Sequence, residues 1–100
     1  MNQIITGSFD RIVALCEQHS VLSLYVFGSV LTPKFNSDSD IDFLVHFKTE
    51  GITDYATNYF SLKHSLESEL GRPVDLVEDK SIRNPVFRHN VDKTKVPLYG

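Results

Sequence analysis

Apolar residues recur at helical spacing near the start of the chain, with polar residues between them. A stripe at spacing i, i+3, i+4, i+7 follows Ser8, a residue type that often begins helices. Its members are Phe9, Ile12, Val13 and Cys16. The pattern stops near His19 and Ser20, so we predict a first helix between these limits.

Two later segments also have the character of helices. One can begin at Thr53 or Asp54 and ends at Gly71, a residue type suited to helix C-termini. Its apolar side consists of Tyr55, Tyr59, Leu62, Leu66 and Leu70. The other starts at Asn84, which precedes a proline, and is predicted to extend to about Val91.

Runs of apolar and aromatic residues predict four strands between and after these helices. They cover residues 22–27, 40–47, 74–77 and 95–99. Pro97 limits the last of them to a sheet edge, where a missing N–H is tolerated. Residues 32–38 are predicted to be irregular. With 100 residues and 41% hydrophobic content, the chain is expected to form a single domain, residues 1–100, around one modest core.

The charge distribution and the single cysteine narrow the functional classes. The net charge is −3, but residues 80–95 carry +4 and the rest of the chain −7. Because the chain is acidic overall, we expect no polynucleotide partner. The basic segment could meet an anionic partner or form a solvated helix face. Cys16 cannot form an internal disulfide, and no apolar run approaches the roughly 20 residues of a membrane span, so we expect a soluble cytoplasmic protein.

A glycine-serine pair lies where the first predicted strand ends, and two aspartates lie where the second begins. Gly28 allows the backbone to turn sharply and to approach a phosphate, and the Ser29 hydroxyl adds a donor. Asp40 and Asp42 are two residues apart, so both side chains project from one face of the second strand. Two close carboxylates repel unless a cation lies between them, and Mg²⁺ typically takes one or two carboxylates. The pattern suggests metal-assisted phosphoryl or nucleotidyl transfer.

Each acidic residue also has a purely structural interpretation. Asp40 and Asp42 could form a polar strand edge, and Asp75 could face water from an edge strand. Asp38 is expected to lie in a turn. A calcium loop that begins at Asp38 is excluded, because its required glycine and glutamate are replaced by a phenylalanine and a threonine.

The histidines give weaker indications. His46 continues the face that carries Asp42 and could approach the site, but the pattern favours a solvated or core-edge position. The other three have no cysteine or histidine partner at metal-ligand spacing, which disfavours a zinc site; they are His19, His64 and His89.

The ordered set of Gly28-Ser29, Asp40-Ile41-Asp42-Phe43 and Asp75 resembles the motifs of a known family. Across nearly the whole chain it resembles the minimal nucleotidyltransferases of the polymerase beta superfamily, the MNT antitoxin-like proteins that pair with HEPN proteins. This resemblance implies an α/β (α+β) nucleotidyltransferase fold, with a small mixed β-sheet and helices packed mainly on one face. It also implies two Mg²⁺ ions ligated by Asp40 and Asp42. Asp75 would complete the metal site or activate the attacking hydroxyl, and Gly28 and Ser29 would hold the β and γ phosphates of ATP.

The resemblance leads to one main functional hypothesis and two alternatives. In the main hypothesis the protein is an antitoxin that transfers AMP from ATP to a tyrosine hydroxyl of a HEPN toxin. The alternatives are a non-catalytic antitoxin that acts by contact and a nucleotidyltransferase for small molecules. Family members often have an arginine just after the Gly-Ser pair, whereas this chain has Val30-Leu31-Thr32-Pro33, with Lys34 as the nearest substitute cation. Homodimerisation and assembly with a HEPN dimer are both compatible with the sequence.

Overall fold

Four strands form the central sheet, in the spatial order β3-β2-β1-β4. The computed structural model describes residues 2–100. The strands are β1 (Val21–Phe27), β2 (Ile41–Phe47), β3 (Val74–Glu78) and β4 (Val96–Tyr99). β1 runs antiparallel to β2 and β4, whereas β2 and β3 are parallel. All four strands occur close to their predicted limits, and β4 lies at the sheet edge that its proline requires.

Four α-helices accompany the sheet within the described part of the chain. They are α1 (Gln3–Gly7), α2 (Phe9–Gln18), α3 (Tyr55–Leu70) and α4 (Pro85–Thr94). Asp54 begins α3 by accepting a hydrogen bond from the Thr57 backbone N–H at 3.1 Å, and Gly71 ends it in the left-handed conformation with φ 70°. Within residues 2–100, no helix has both the length and the apolar character that crossing a membrane requires.

The helices cover the two faces of the sheet unequally. One face is buried by α1, α2 and α3, and its core includes Phe43 and Leu66. On the other face, Val91 of α4 packs near Leu44. The predicted architecture, a small mixed sheet with helices mainly on one face, is confirmed. Because side chains alternate along β2, Asp42 belongs to the thinly covered face.

The start of the chain differs from the prediction. Residues 3–7 form the unpredicted helix α1, whose Ile5 is fully buried, while Phe9 of the predicted apolar stripe is 43% exposed. Ser8 stands at the N-cap position of α2, but its side chain makes no capping hydrogen bond. The reason is that Ser8 is also the C-cap of α1, and its backbone (φ −111°, ψ 11°) lies outside the extended region that side-chain capping favours.

Replacing Asn84 by alanine is expected to lower the free energy of unfolding by about 1 kcal/mol. The reason is that Asn84 Oδ1 accepts hydrogen bonds from the backbone N–H groups of Val86 (2.9 Å) and Phe87 (3.1 Å) at the start of α4. Ser8→Ala is the matched control, because Ser8 occupies an N-cap position without such a bond. Urea denaturation should show a clear loss for Asn84→Ala only, and equal losses for both variants would contradict this account.

Part of the basic segment near the C-terminus is paired within the protein. Arg88 Nη1 lies 2.8 Å from Asp79 Oδ1 and 3.4 Å from Asp92 Oδ1, and Arg88 Nη2 donates to the Asp79 carbonyl oxygen at 2.7 Å. Lys95 Nζ lies 3.0 Å from Asp92 Oδ1. The contacts of Arg88 with Asp79 tie α4 to the chain that follows β3, so part of the +4 charge supports the fold on the face that carries Asp42.

Candidate functional site

Gly28 follows β1 at a point where the backbone lies against an acidic side chain of β2. The last residue of β1, Phe27, is opposite Asp42 in the antiparallel register. Gly28 has φ +82°, a conformation that favours glycine. A Cβ atom on Gly28 would overlap Asp42 Oδ2 and would lie 3.2 Å from Asp42 Cγ. Glycine is therefore needed here both for the turn and for the close approach of the Asp42 carboxylate.

The residues after Gly28 form a short 3₁₀ turn, Gly28–Leu31. The Ser29 carbonyl oxygen accepts hydrogen bonds from the Thr32 backbone N–H and hydroxyl, each at 2.9 Å. Val30 is buried in the main core, and Leu31 packs partly against it. The segment in which family members often have an arginine therefore serves core packing in this chain. Lys34, the nearest cation in sequence, is exposed.

Three acidic residues lie on the strands beside this turn. Asp40 immediately precedes β2, and Asp42 is paired with Asp75 in the parallel register of β2 and β3, so these two side chains project from one face. Asp42 is half-buried, whereas Asp40 and Asp75 are exposed. Burial, and then the negative charges of Asp75 and Asp40, raise the pKa of Asp42 to about 6. A bound cation would relieve both the repulsion and the cost of ionising Asp42.

The donor set fits magnesium that arrives together with a phosphate ligand. Nowhere in residues 2–100 do three His, Cys, Asp or Glu side chains form a group that could hold a metal ion on its own. The register pair Asp42 and Asp75 offers carboxylate oxygens, which are the ligands that hard divalent ions prefer. Mg²⁺ commonly uses one or two carboxylates and takes its remaining ligands from phosphate and water. This arrangement therefore fits a metal bound jointly by protein and nucleotide.

Three other residues that the sequence analysis considered are His19, Asp38 and His46. His19 is buried, its Nδ1–H donates to the Leu15 carbonyl oxygen at 2.7 Å, and its Nε2 forms a hydrogen bond with the Ser61 hydroxyl at 2.9 Å. Asp38 lies in the predicted turn, and His46 is exposed on β2. The hydrogen bonds of His19 connect α2 to α3, which gives this residue a structural explanation.

Sequence reasoning missed Arg72, which binds the loop that leads into Asp40. Its Nη1 donates to the carbonyl oxygens of Asn36 (3.1 Å) and Ser39 (3.0 Å). Its guanidinium carbon lies 4.5 Å from the centroid of the Phe35 ring. The two hydrogen-bonded partners are 36 and 33 residues earlier in the chain, so no local pattern could indicate this contact.

This chain matches the sequence model of a known family and the sequences of two known proteins. The sequence model of the family described as "Polymerase beta, Nucleotidyltransferase" matches residues 10–100. Two Methanocaldococcus jannaschii proteins, both named as candidate protein adenylyltransferases, are 33% and 35% identical over 79 residues. Each alignment covers 79% of this chain and 78% of the relative.

Solved structures give the same result. The structure of a candidate minimal nucleotidyltransferase is similar with a TM-score of 0.79 and 30% identity, over 98% of this chain and 97% of that one. A toxin–antitoxin structure with AMP-PNP has a TM-score of 0.70 and 26% identity, over 92% and 73% of the two chains. A complex of the tri-AMPylated Shewanella oneidensis HEPN toxin with its MNT antitoxin has a TM-score of 0.64 and 25% identity, over 95% and 71%.

These matches confirm the resemblance to minimal nucleotidyltransferases that the glycine-serine turn and the strand aspartates indicated. The family match covers the turn at Gly28 and all three acidic residues, Asp40, Asp42 and Asp75. The protein therefore belongs to the polymerase beta nucleotidyltransferase family.

Proposed function

We propose that the protein is a Mg²⁺-dependent adenylyltransferase that transfers AMP from ATP to a tyrosine hydroxyl of a partner HEPN toxin. The observation that carries this proposal is the contact between Gly28 and the Asp42 carboxylate. It puts a carboxylate of raised pKa directly against a glycine turn, and Asp42 has a second carboxylate, Asp75, beside it in the sheet. A metal-bound triphosphate needs both the glycine turn and the carboxylates. Its phosphates can approach the backbone closely only where no side chain intervenes, and its metal ion needs carboxylate ligands.

Each site residue has a distinct role in this proposal. Gly28 and Ser29 bind the β and γ phosphates through the backbone of the turn and the Ser29 hydroxyl. Asp40 and Asp42 hold the metal, and Asp75 completes this set and supplies a carboxylate that can take the proton of the acceptor hydroxyl. When bound, Mg²⁺ would neutralise charge on the α-phosphoryl group and on the departing pyrophosphate.

The transfer step is a single displacement at the α-phosphorus. The acceptor hydroxyl oxygen forms a bond to this phosphorus, and the bond from the phosphorus to the oxygen bridging to the β-phosphate breaks. Pyrophosphate leaves with the electron pair of that bond, and the hydroxyl proton passes to a carboxylate of the site. The side chains contribute orientation and charge, which are the main sources of catalysis in phosphoryl-group chemistry.

The similar proteins support the choice of nucleotide and acceptor. The two M. jannaschii relatives are named as candidate protein adenylyltransferases, and one similar structure contains AMP-PNP. Another contains an AMPylated HEPN toxin bound to an MNT antitoxin. A protein acceptor also agrees with the exposure of the sheet face that carries Asp42. In the apolar cluster on this face, Val91 of α4 is the one buried residue that a helix contributes.

The test is to incubate the protein with ATP, Mg²⁺ and the product of the neighbouring gene, and to measure the intact masses. We expect the partner to gain one or more AMP groups, and tandem mass spectrometry should locate them on tyrosine. The Asp42→Asn variant should give no gain, whereas Asp38→Asn, a change of the same type in the exposed turn, should behave as the wild type. An unmodified partner, or equal transfer by Asp42→Asn, would overturn the proposal.

A non-catalytic antitoxin is the second candidate. It is favoured by the use of Val30 and Leu31 in core packing, because this leaves no arginine directly after the turn. The two candidates differ in how they neutralise the toxin. If contact alone suffices, Asp42→Asn should neutralise the partner as well as the wild type does, whereas an enzyme should lose neutralisation together with AMP transfer.

A further inference from the structure

Arg72 connects the end of α3 to the irregular loop in front of β2. Its Nη1 donates hydrogen bonds to the carbonyl oxygens of Asn36 and Ser39, and its guanidinium lies over the Phe35 ring. The planar guanidinium is suited to combining hydrogen bonds in its plane with stacking on an aromatic ring. Arg72 thus holds this loop at three points.

The loop held by Arg72 has an ordered internal structure. The Asn36 backbone N–H donates to Ser39 Oγ at 3.1 Å, and the Ser39 N–H donates to the Asn36 carbonyl oxygen at 3.1 Å. The Asp38 N–H donates to Asn36 Oδ1 at 2.8 Å. These bonds make residues 36–39 a compact turn. The hydrogen bonds from Arg72 to Asn36 and Ser39 therefore fix the position of the whole turn.

The backbone on each side of Asp40 is hydrogen-bonded to the segment 72–73. On one side, the Ser39 carbonyl, which shares a peptide group with the Asp40 nitrogen, accepts from Arg72. On the other side, the Ile41 N–H donates to the Pro73 carbonyl oxygen at 3.1 Å. Two residues beyond Pro73 is Asp75, so the same short segment fixes the backbone of Asp40 and leads directly into the strand of Asp75.

We propose that Arg72 is a positioning residue that holds the Asp40 carboxylate in register with Asp42 and Asp75 for binding the metal–nucleotide substrate. This inference rests on the proposed function. Asp40 needs such help more than Asp42, because Asp42 is within β2 and half-buried, whereas Asp40 is exposed and precedes the strand. Without Arg72, the Asp40 side chain would keep its chemistry but lose its fixed place. Partners that orient metal ligands commonly contribute substantially to affinity.

The test measures how much Mg²⁺ strengthens nucleotide binding. Isothermal titration calorimetry would give the affinity for α,β-methylene ATP, which cannot release pyrophosphate, once with Mg²⁺ and once with EDTA. In Arg72→Met we expect the Mg²⁺-dependent gain in affinity to fall about tenfold, with little change in EDTA. Arg72→Lys should recover part of the gain, because an ammonium group can still donate to the two carbonyl oxygens.

Arg11→Met is the matched control. Arg11 is also an arginine with an ion-pair partner, since its Nε lies 3.7 Å from Glu69 Oε2, but its side chain is 73% exposed and it lies on α2. We expect this variant to keep the full Mg²⁺-dependent gain. Unfolding curves for both variants would separate a general loss of stability from a selective loss of metal-dependent binding.

A double-mutant cycle tests whether Arg72 acts through Asp40. In an Asp40→Asn background, Arg72→Met should cause no further loss of the Mg²⁺-dependent gain, because the ligand that it positions has been removed. Equal gains in the wild type and Arg72→Met, or full additivity of the two substitutions, would overturn the inference while leaving the proposed function intact. If the wild type itself shows no gain with Mg²⁺, the proposed function fails, and the role of Arg72 fails with it.

Discussion

Replacing Asp42 by asparagine is expected to abolish AMP transfer and, at the same time, to stabilise the metal-free protein. The loss of transfer should be on the order of 10³-fold or more, since the change removes a charged ligand at the reacting phosphates. The gain in stability follows from the pKa of Asp42, which burial and two neighbouring acids raise to about 6. An asparagine of almost the same shape carries no charge to be repelled.

The pH dependence of stability gives the sign of this effect. The pKa of Asp42 in the folded protein is about 6, above its ordinary value of 3.8. Between these two pH values the folded protein therefore keeps a proton on Asp42 that the unfolded chain has released. The free energy of unfolding should therefore decline as the pH rises between these two values and stay at its lower level above them. Because Asp42 is only half-buried, we expect a contribution of about 1 kcal/mol after solvent screening.

Chemical denaturation in EDTA at several pH values between about 4 and 8 would measure this contribution. The decline attributed to Asp42 should be absent in Asp42→Asn and retained in Asp38→Asn. Mg²⁺ with nucleotide should raise the melting temperature of the wild type but not that of Asp42→Asn. A less stable Asp42→Asn protein in EDTA would show that the carboxylate supports the fold rather than the site.

Gly28→Ala is expected to have the second large effect, because two costs coincide at this position. The backbone has φ +82°, and the added Cβ would overlap the Asp42 carboxylate. Gly51 has the same φ of +82° but no atom within 4 Å of an added Cβ. Gly51→Ala therefore measures the backbone cost alone, about 1 kcal/mol. Gly28→Ala should cost about 2 to 4 kcal/mol, since it adds a steric overlap to the same strain.

A second background isolates the overlap with Asp42. In Asp42→Ala the carboxylate is gone and the nearest remaining Asp42 atom, Cβ, would lie 3.4 Å from the new methyl group, an ordinary contact. Gly28→Ala in that background should cost no more than Gly51→Ala does in the wild type. If the cost of Gly28→Ala is the same in both backgrounds, the close approach of Gly28 and Asp42 does not exist in solution.

The elements of this fold were predictable because their signals are local. Gly71 and Pro73 mark the end of α3, Asn84 marks the start of α4, and Pro97 restricts β4 to an edge. Helix α1 was missed because it has five residues and one buried side chain, Ile5, which is too little for a periodic pattern. Local signals therefore gave the order and type of the longer elements.

The geometry of the candidate site depended on contacts that no local pattern contains. The sequence placed Asp42 and Asp75 on strands, but only the parallel pairing of β2 with β3 makes them neighbours. Likewise, a turn at Gly28 was predictable, whereas its contact with Asp42 requires the register of β1 on β2. The contacts of Arg72 have the same origin, since its partners are distant in the chain.

The fate of the ATP phosphates distinguishes AMP transfer from other reactions at this site. The protein, its partner and Mg²⁺ would be incubated with ATP labelled either at the α- or at the γ-phosphorus, and the label on protein would be counted. We expect the α-label to become attached to the partner and the γ-label to be released as pyrophosphate. Attachment of the γ-label, or of neither label, would contradict nucleotidyl transfer by this site.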